Sequence, residues 1–213
     1  MKTNSKLRTS LIIYAMILYG LWSLLELYLK TQIGIDEFTK EVYIKIVFWL
    51  LPAIVIHFRF SDNMLIKKEE MYLLRKNCWI FVPIMLLFTI YIFISEYLTN
   101  SKITISESFG INTVVEVLSI AIGEEMVFRG LFLNAIFNDK KKYLAVFINS
   151  LMFLIIHFPA WIQGDIFISV FTSGGFITVL LVSCIFSFVF IKTKSIWTAI
   201  FLHFWWDLLL FMF

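Results

Sequence analysis

The segment "IGEEMVFRG", Ile122 to Gly130, places two adjacent glutamates and an arginine among apolar side chains. Charged groups at bilayer depth are costly and usually face a protein interior or a watery cavity, so their chemistry asks for explanation. At about 100° per residue, Glu125 and Arg129 fall on one helix face as an i, i+4 pair, while Glu124 points elsewhere. One carboxylate is then expected to be held by Arg129 and its neighbour left for other work. His157, in "FLIIH" (Phe153 to His157), lies within another apolar stretch two residues before Pro159, which frees backbone groups nearby. In "HFWWD", His203 and Asp207 share a face at i, i+4 and can converge on a water, a ligand or each other. Each piece alone has a structural explanation: a buried ion pair, a satisfied core histidine, an interhelical hydrogen bond. Together they supply carboxylates, two imidazoles and a cation, the groups that move protons at a bound water. His57 is different, since it ends its apolar stretch beside Arg59 and an interfacial position accounts for it.

The elements that must hold these groups are membrane helices. The 213 residues are 61% hydrophobic and 15% charged with a mean hydropathy of +0.89, far more apolar than a soluble domain. Seven apolar stretches approach the length of a ~30 Å hydrocarbon core: 9–29, 42–60, 78–98, 111–137, 143–160, 176–191 and 196–213. The fold class is therefore all-α, a polytopic transmembrane bundle of about seven spans. The first stretch ends in Glu26-Leu-Tyr-Leu-Lys30 without a small-residue cleavage site, and so reads as a retained anchor. Ser173-Gly174-Gly175 marks a helix break, and 165–172 reads as a short surface or re-entrant helix. Residues 1–110 carry no signature and 111–213 carry all the chemistry, within one compact membrane domain. No internal repeat supports a transporter. Cys78 and Cys184 make neither a disulfide framework nor a CxxC metal pair, and a net charge of +3 gives no footing for nucleic acid.

Charge asymmetry sets the orientation. Lys2, Lys6, Arg8, Arg59, Lys67, Lys68, Arg75, Lys76, Lys140, Lys141, Lys142, Lys192 and Lys194 all fall on one side, placing the N-terminus in the cytoplasm and the C-terminus outside. Lys30, Lys40, Lys45 and Lys102 fall on the other side, diluted by Asp36, Glu37, Glu41 and Glu107.

With the three clusters in order, Glu124-Glu125-x-x-x-Arg129-Gly130, Phe153-x-x-x-His157 and His203-x-x-x-Asp207, the chain resembles the CAAX protease and bacteriocin-processing (CPBP, or Abi) family of intramembrane endopeptidases. This family includes the type II CAAX prenyl endopeptidases. The approach "TKSIWTAIFLHFWWD" is similar to the family's third motif, and the resemblance runs from Ile111 to the C-terminus. It implies hydrolysis of peptide bonds in membrane-associated proteins or peptides. Glu124 and His157 activate the water, His203 with Asp207 stabilises the oxyanion, and Glu125 with Arg129 holds the first motif in shape. Asp207 stands where many members have Asn, so it must be protonated or orient His203; orientation is the expected role. The implied partners are the lipid bilayer and a peptide or membrane-anchored substrate. The implied location is the cell membrane, where the Phe- and Ile-rich composition fits a bacterial plasma membrane.

A metalloprotease reading uses the same residues, since Glu124, His157 and His203 could hold zinc with a fourth position open. HExxH is absent, as are GxSG and a paired GxGD, which sets aside site-2-type, rhomboid and aspartyl intramembrane chemistry. No cofactor is favoured. A second class of function is a non-catalytic membrane immunity or scaffold protein of the same fold, such as a bacteriocin self-immunity factor. The topology has its own test: phosphatase fusions after residues 36, 105 and 213 are expected to be active outside the cell. A cytosolic C-terminus would mean a miscounted span.

Overall fold

Backbone amides in hydrocarbon have no water to bond, so an apolar chain must satisfy them within itself, and helices do so locally. The computed structural model describes residues 5–74, 79–137 and 139–213, and every element among them is helical. Lys2, Arg75, Lys76 and Cys78, which entered the charge and cysteine arguments, lie outside the described residues.

The long helices are α1 (Ser5–Ile33), α2 (Thr39–Asn63), α3 (Phe81–Asn100) and α4 (residues 111–136), then α5 (Lys142–Gln163), the short α6 (Phe167–Thr172), α7 (Gly175–Thr193) and α8 (Ile196–Met212). Five of them, α1, α2, α3, α5 and α7, are long and apolar enough to cross a membrane. Helix α8 is shorter, and α4 carries Glu116, Glu124, Glu125 and Arg129. The protein is thus a multi-pass membrane protein. Its outward faces are greasy: Ile13, Met16 and Ile17 on α1, and Leu86, Leu87 and Ile90 on α3, are all exposed.

Helix α4 is the centre, packed by α2, α5 and α8. From Met126 to Leu133 every residue is buried, and the helix widens there into π-type turns, a distortion found mostly at functional sites. Gly34 closes the α1–α2 hairpin in the left-handed region (φ 74°), where its missing Cβ avoids the usual strain. The next turn is tied by the Thr39 backbone and hydroxyl, which donate to Asp36 and hold its carboxyl below the usual range. Gly174 (φ 81°) makes the break before α7, and α6 stands beside it as the expected short helix.

The other end of the bundle is fastened by Asn134 on α4. Its side chain accepts from Ile66 N at 2.7 Å and donates to Ile66 O at 2.8 Å, while its carbonyl takes Leu65 N at 3.1 Å. Asn134→Ala strands two groups of a fully buried residue, each worth roughly 1–3 kcal/mol when left unpaired. A clear drop in melting temperature in detergent is the expected outcome.

Candidate active site

The site begins on α4, where the expected i, i+4 pair forms: Arg129 Nη1 lies 2.7 Å from Glu125 Oε1. The guanidinium is fully buried, and all three of its nitrogens are hydrogen-bonded. Its Nη2 donates to the Ser183 carbonyl at 2.9 Å and to the Ser183 hydroxyl at 2.7 Å, and Nε reaches Ser187 Oγ at 3.4 Å. The rings of Phe153 and Phe186 flank it with centroids 4.7 and 5.4 Å away. Arg129 therefore ties α4 to α5 and α7. Asn149 on α5 completes the knot, donating to the Phe128 carbonyl at 2.8 Å and accepting from Ser187 at 3.4 Å.

Glu125 has a second duty that spacing did not reveal. The oxygen that takes Arg129 also lies 2.8 Å from His203 Nδ1. A carboxylate oxygen can only accept, so Nδ1 carries a hydrogen. The opposite nitrogen, Nε2, faces the carboxylate oxygens of Asp207 at 3.2 Å and Glu124 at 3.9 Å. His203 is thus held between carboxylates on both sides, and its imidazole stacks on Phe186 with centroids 5.1 Å apart. Glu125 fixes the ring through Nδ1, a contact that the spacing along the chain did not indicate. Asp207 sits on the cavity side, against Nε2.

His157 lies at the joint of α5, where the regular bonding pattern slips. Its backbone N–H donates to the Leu154 carbonyl, which leaves the Phe153 carbonyl for its own ring: Nδ1 lies 2.7 Å from Phe153 O. A carbonyl accepts, so Nδ1 is the protonated nitrogen and Nε2 of the neutral ring is the acceptor. Pro159 follows in the first turn of the next helical segment and supplies no N–H.

Glu124, His157, His203 and Asp207 all line one cavity of about 570 Å³. Its walls include Trp22, Trp49, Phe153, Trp161, Phe186 and Trp206. Lys40, Glu41, Ala160, Gly175 and Phe211 also line it, from near the ends of α2, α5, α7 and α8.

The expectation that Glu124 is unpaired does not hold. Lys45 on α2 places Nζ 2.8 Å from Glu124 Oε1, while Oε2 is buried without a hydrogen-bond partner. Lys40 and Lys45 are not outer-loop charges. Both are buried inside α2, in an alternating string with Glu26, Glu37 and Glu41. The first two helices therefore contribute to the cavity although they carry no motif. The signal available in the sequence was charge itself: Glu26, Lys40, Glu41 and Lys45 recur beside apolar stretches, at spacings that let them face one another across a hairpin. His57 is also fully buried, packed edge-on against Tyr72.

Among the described residues, no three His, Cys, Asp or Glu side chains are grouped closely enough to hold a metal ion. Two of the three residues of the expected zinc set, Glu124, His157 and His203, already have partners. Glu124 is occupied by Lys45, and His203 is engaged by carboxylates at both nitrogens.

Residues 106–209 match the family model described as type II CAAX prenyl endopeptidase Rce1-like. No curated protein and no solved structure matches the chain. The match spans all three motifs and excludes Lys40 and Lys45. The structural role of Glu125 can be measured apart from any activity. Glu125→Gln leaves the buried Arg129 and His203 facing a neutral amide, and breaking such a pair costs about 3–5 kcal/mol. Glu125→Gln is expected to melt far below the wild type, and the double variant Glu125→Gln/Arg129→Met to recover part of the loss.

Proposed function

We propose that this protein, whose residues 106–209 form a domain of the type II CAAX prenyl endopeptidase Rce1-like family, is a membrane-embedded endopeptidase that hydrolyses peptide bonds with a water activated by Glu124 and His157. The observation that carries the reading is the convergence of Glu124, His157, His203 and Asp207, drawn from three helices, on one aromatic-walled cavity. Hydrolysis adds a water oxygen to the scissile carbonyl, so a proton must leave that water and another must reach the departing amine. Glu124 Oε2, which has no hydrogen-bond partner, and His157 Nε2 are the acceptors assigned to this proton. The new C–O bond forms as one of them takes the water proton; the same proton then passes to the nitrogen as the C–N bond breaks.

Negative charge grows on the carbonyl oxygen during the attack. His203, fixed through Nδ1 by Glu125 and faced at Nε2 by the Asp207 carboxylate, acts as the imidazolium, whose Nε2–H is the preorganised donor offered to the oxyanion. Asp207 lies against that same nitrogen and keeps the ring aimed. The metal-independent form is the one proposed here, supported by the Lys45 contact on Glu124 and the carboxylates at both nitrogens of His203. The substrate is a peptide or membrane-anchored protein that reaches this cavity within the cell membrane.

The test is cleavage of C-terminal peptides, with and without a prenyl group, by the purified protein in detergent. Glu124→Gln keeps the side chain's size and is expected to lower the rate by about 10²–10⁴-fold, the usual worth of a general base. His203→Ala is expected to cost on the order of 10²–10³ in rate, as for a lost oxyanion donor. A strong chelator is expected to leave the wild-type rate unchanged; loss of activity restored by zinc would overturn the metal-independent mechanism. Undiminished cleavage by Glu124→Gln would overturn the assignment of the base.

A further inference from the structure

Lys45 is buried on α2, in the half of the chain that the family match does not reach, yet it meets the first motif directly. Its ammonium lies 2.8 Å from Glu124 Oε1 and also pairs with Glu41. Two indole rings bound it, with centroids 5.2 Å away for Trp22 and 4.7 Å for Trp49. A cation desolvated between aromatic faces is favourably placed and has little freedom to wander. Its alkyl stem passes over α4 at Gly123, where a Cβ would come within 3.2 Å of Lys45 Cγ and 3.3 Å of Cδ. The residue next to Glu124 is thus bare where the lysine crosses.

The far side of the lysine is anchored as well. Glu41 also contacts Lys40 at 3.1 Å, and Lys40 binds Glu26 and Glu37 at 2.6 Å each. This string of alternating charges runs from the cavity to the half-exposed Glu37 at the α1–α2 turn, and it fixes Lys45 from behind. Of the two Glu124 oxygens, Oε1 is taken by Lys45, and Oε2 faces His203 with no hydrogen-bond partner.

We propose that Lys45 is a positioning residue for the hydrolysis: it clamps Glu124 by Oε1, so that Oε2, beside His203, is the oxygen left to take the water's proton. This rests on the endopeptidase reading above. A lysine that only neutralised buried charge would support folding without setting the rate of the chemical step, and the two roles separate in kcat.

The experiment uses the full chain in detergent, the same peptide substrates, and a melting curve for each variant. Lys45→Met is expected to lower kcat by about 10²-fold, the cost of a misplaced reacting group, with KM close to wild type. Lys45→Arg keeps a cation and is expected to regain part of kcat. Gly123→Ala leaves every charge in place but presses on the lysine stem, and is expected to lower kcat with little change in melting temperature. Unchanged kcat per folded molecule in Lys45→Met overturns the proposal. If that variant does not fold, unchanged kcat in Gly123→Ala does so.

A reading independent of activity keeps the two proposals apart. Lys45→Met and Glu124→Gln should each lower the melting temperature, and the double variant should recover part of the loss, since the pair is coupled through direct contact. Additive shifts would remove the Lys45–Glu124 clamp itself. A coupled pair in a protein that cleaves none of the peptides would instead count against the endopeptidase reading.

Discussion

One oxygen of one buried carboxylate organises the molecule. Glu125 Oε1 receives both Arg129 and His203, and so joins the guanidinium that staples α4 to α5 and α7 with the imidazole that faces the cavity from α8. No water is there in hydrocarbon to replace either bond if it is lost. A buried ion pair of this kind adds little net stability over well-packed apolar groups, but removing one member leaves a charge stranded. Its value here is geometric: four helices agree on one arrangement, and the ring of His203 is fixed before any substrate arrives.

A second electrostatic unit faces the first across the cavity. It is built on the α1–α2 hairpin from Glu26, Lys40, Glu41 and Lys45, and it meets the first at Glu124. Burying so many charges would be ruinous if they were isolated, since the desolvation cost per ion is several kcal/mol even after relaxation. Alternation of sign along the string makes each charge the compensation for the next. The N-terminal helices, read by motif alone, look like anchoring elements; by charge they form a wall of the site.

The backbone contributes where it departs from regularity. The slip at His157 frees the Phe153 carbonyl, and that carbonyl selects which imidazole nitrogen keeps its hydrogen. Pro159 enforces the break by having no N–H to give. The wide turns from Met126 to Leu133 lie just beyond the two glutamates, where Arg129 must reach α7 and Asn134 must turn toward Ile66. Local irregularity in otherwise plain helices thus converts apolar rods into a shaped polar chamber.

The sequence by itself determined the class and the cast. Composition and apolar run lengths required membrane helices, Gly174-Gly175 marked the break before α7, and helical spacing paired Glu125 with Arg129 and His203 with Asp207. These follow from periodicity along one helix, which a sequence states directly. The tertiary structure decided who meets whom between helices: Lys45 with Glu124, Glu125 with His203, and Ser183 with Arg129. It also enclosed Lys40, Lys45 and His57 within the protein, which no count of charges along the chain foretells. Nothing along the chain encodes those contacts, because a charge counts the same beside any apolar stretch; only the packing of one helix on another reveals which buried charges share a cavity.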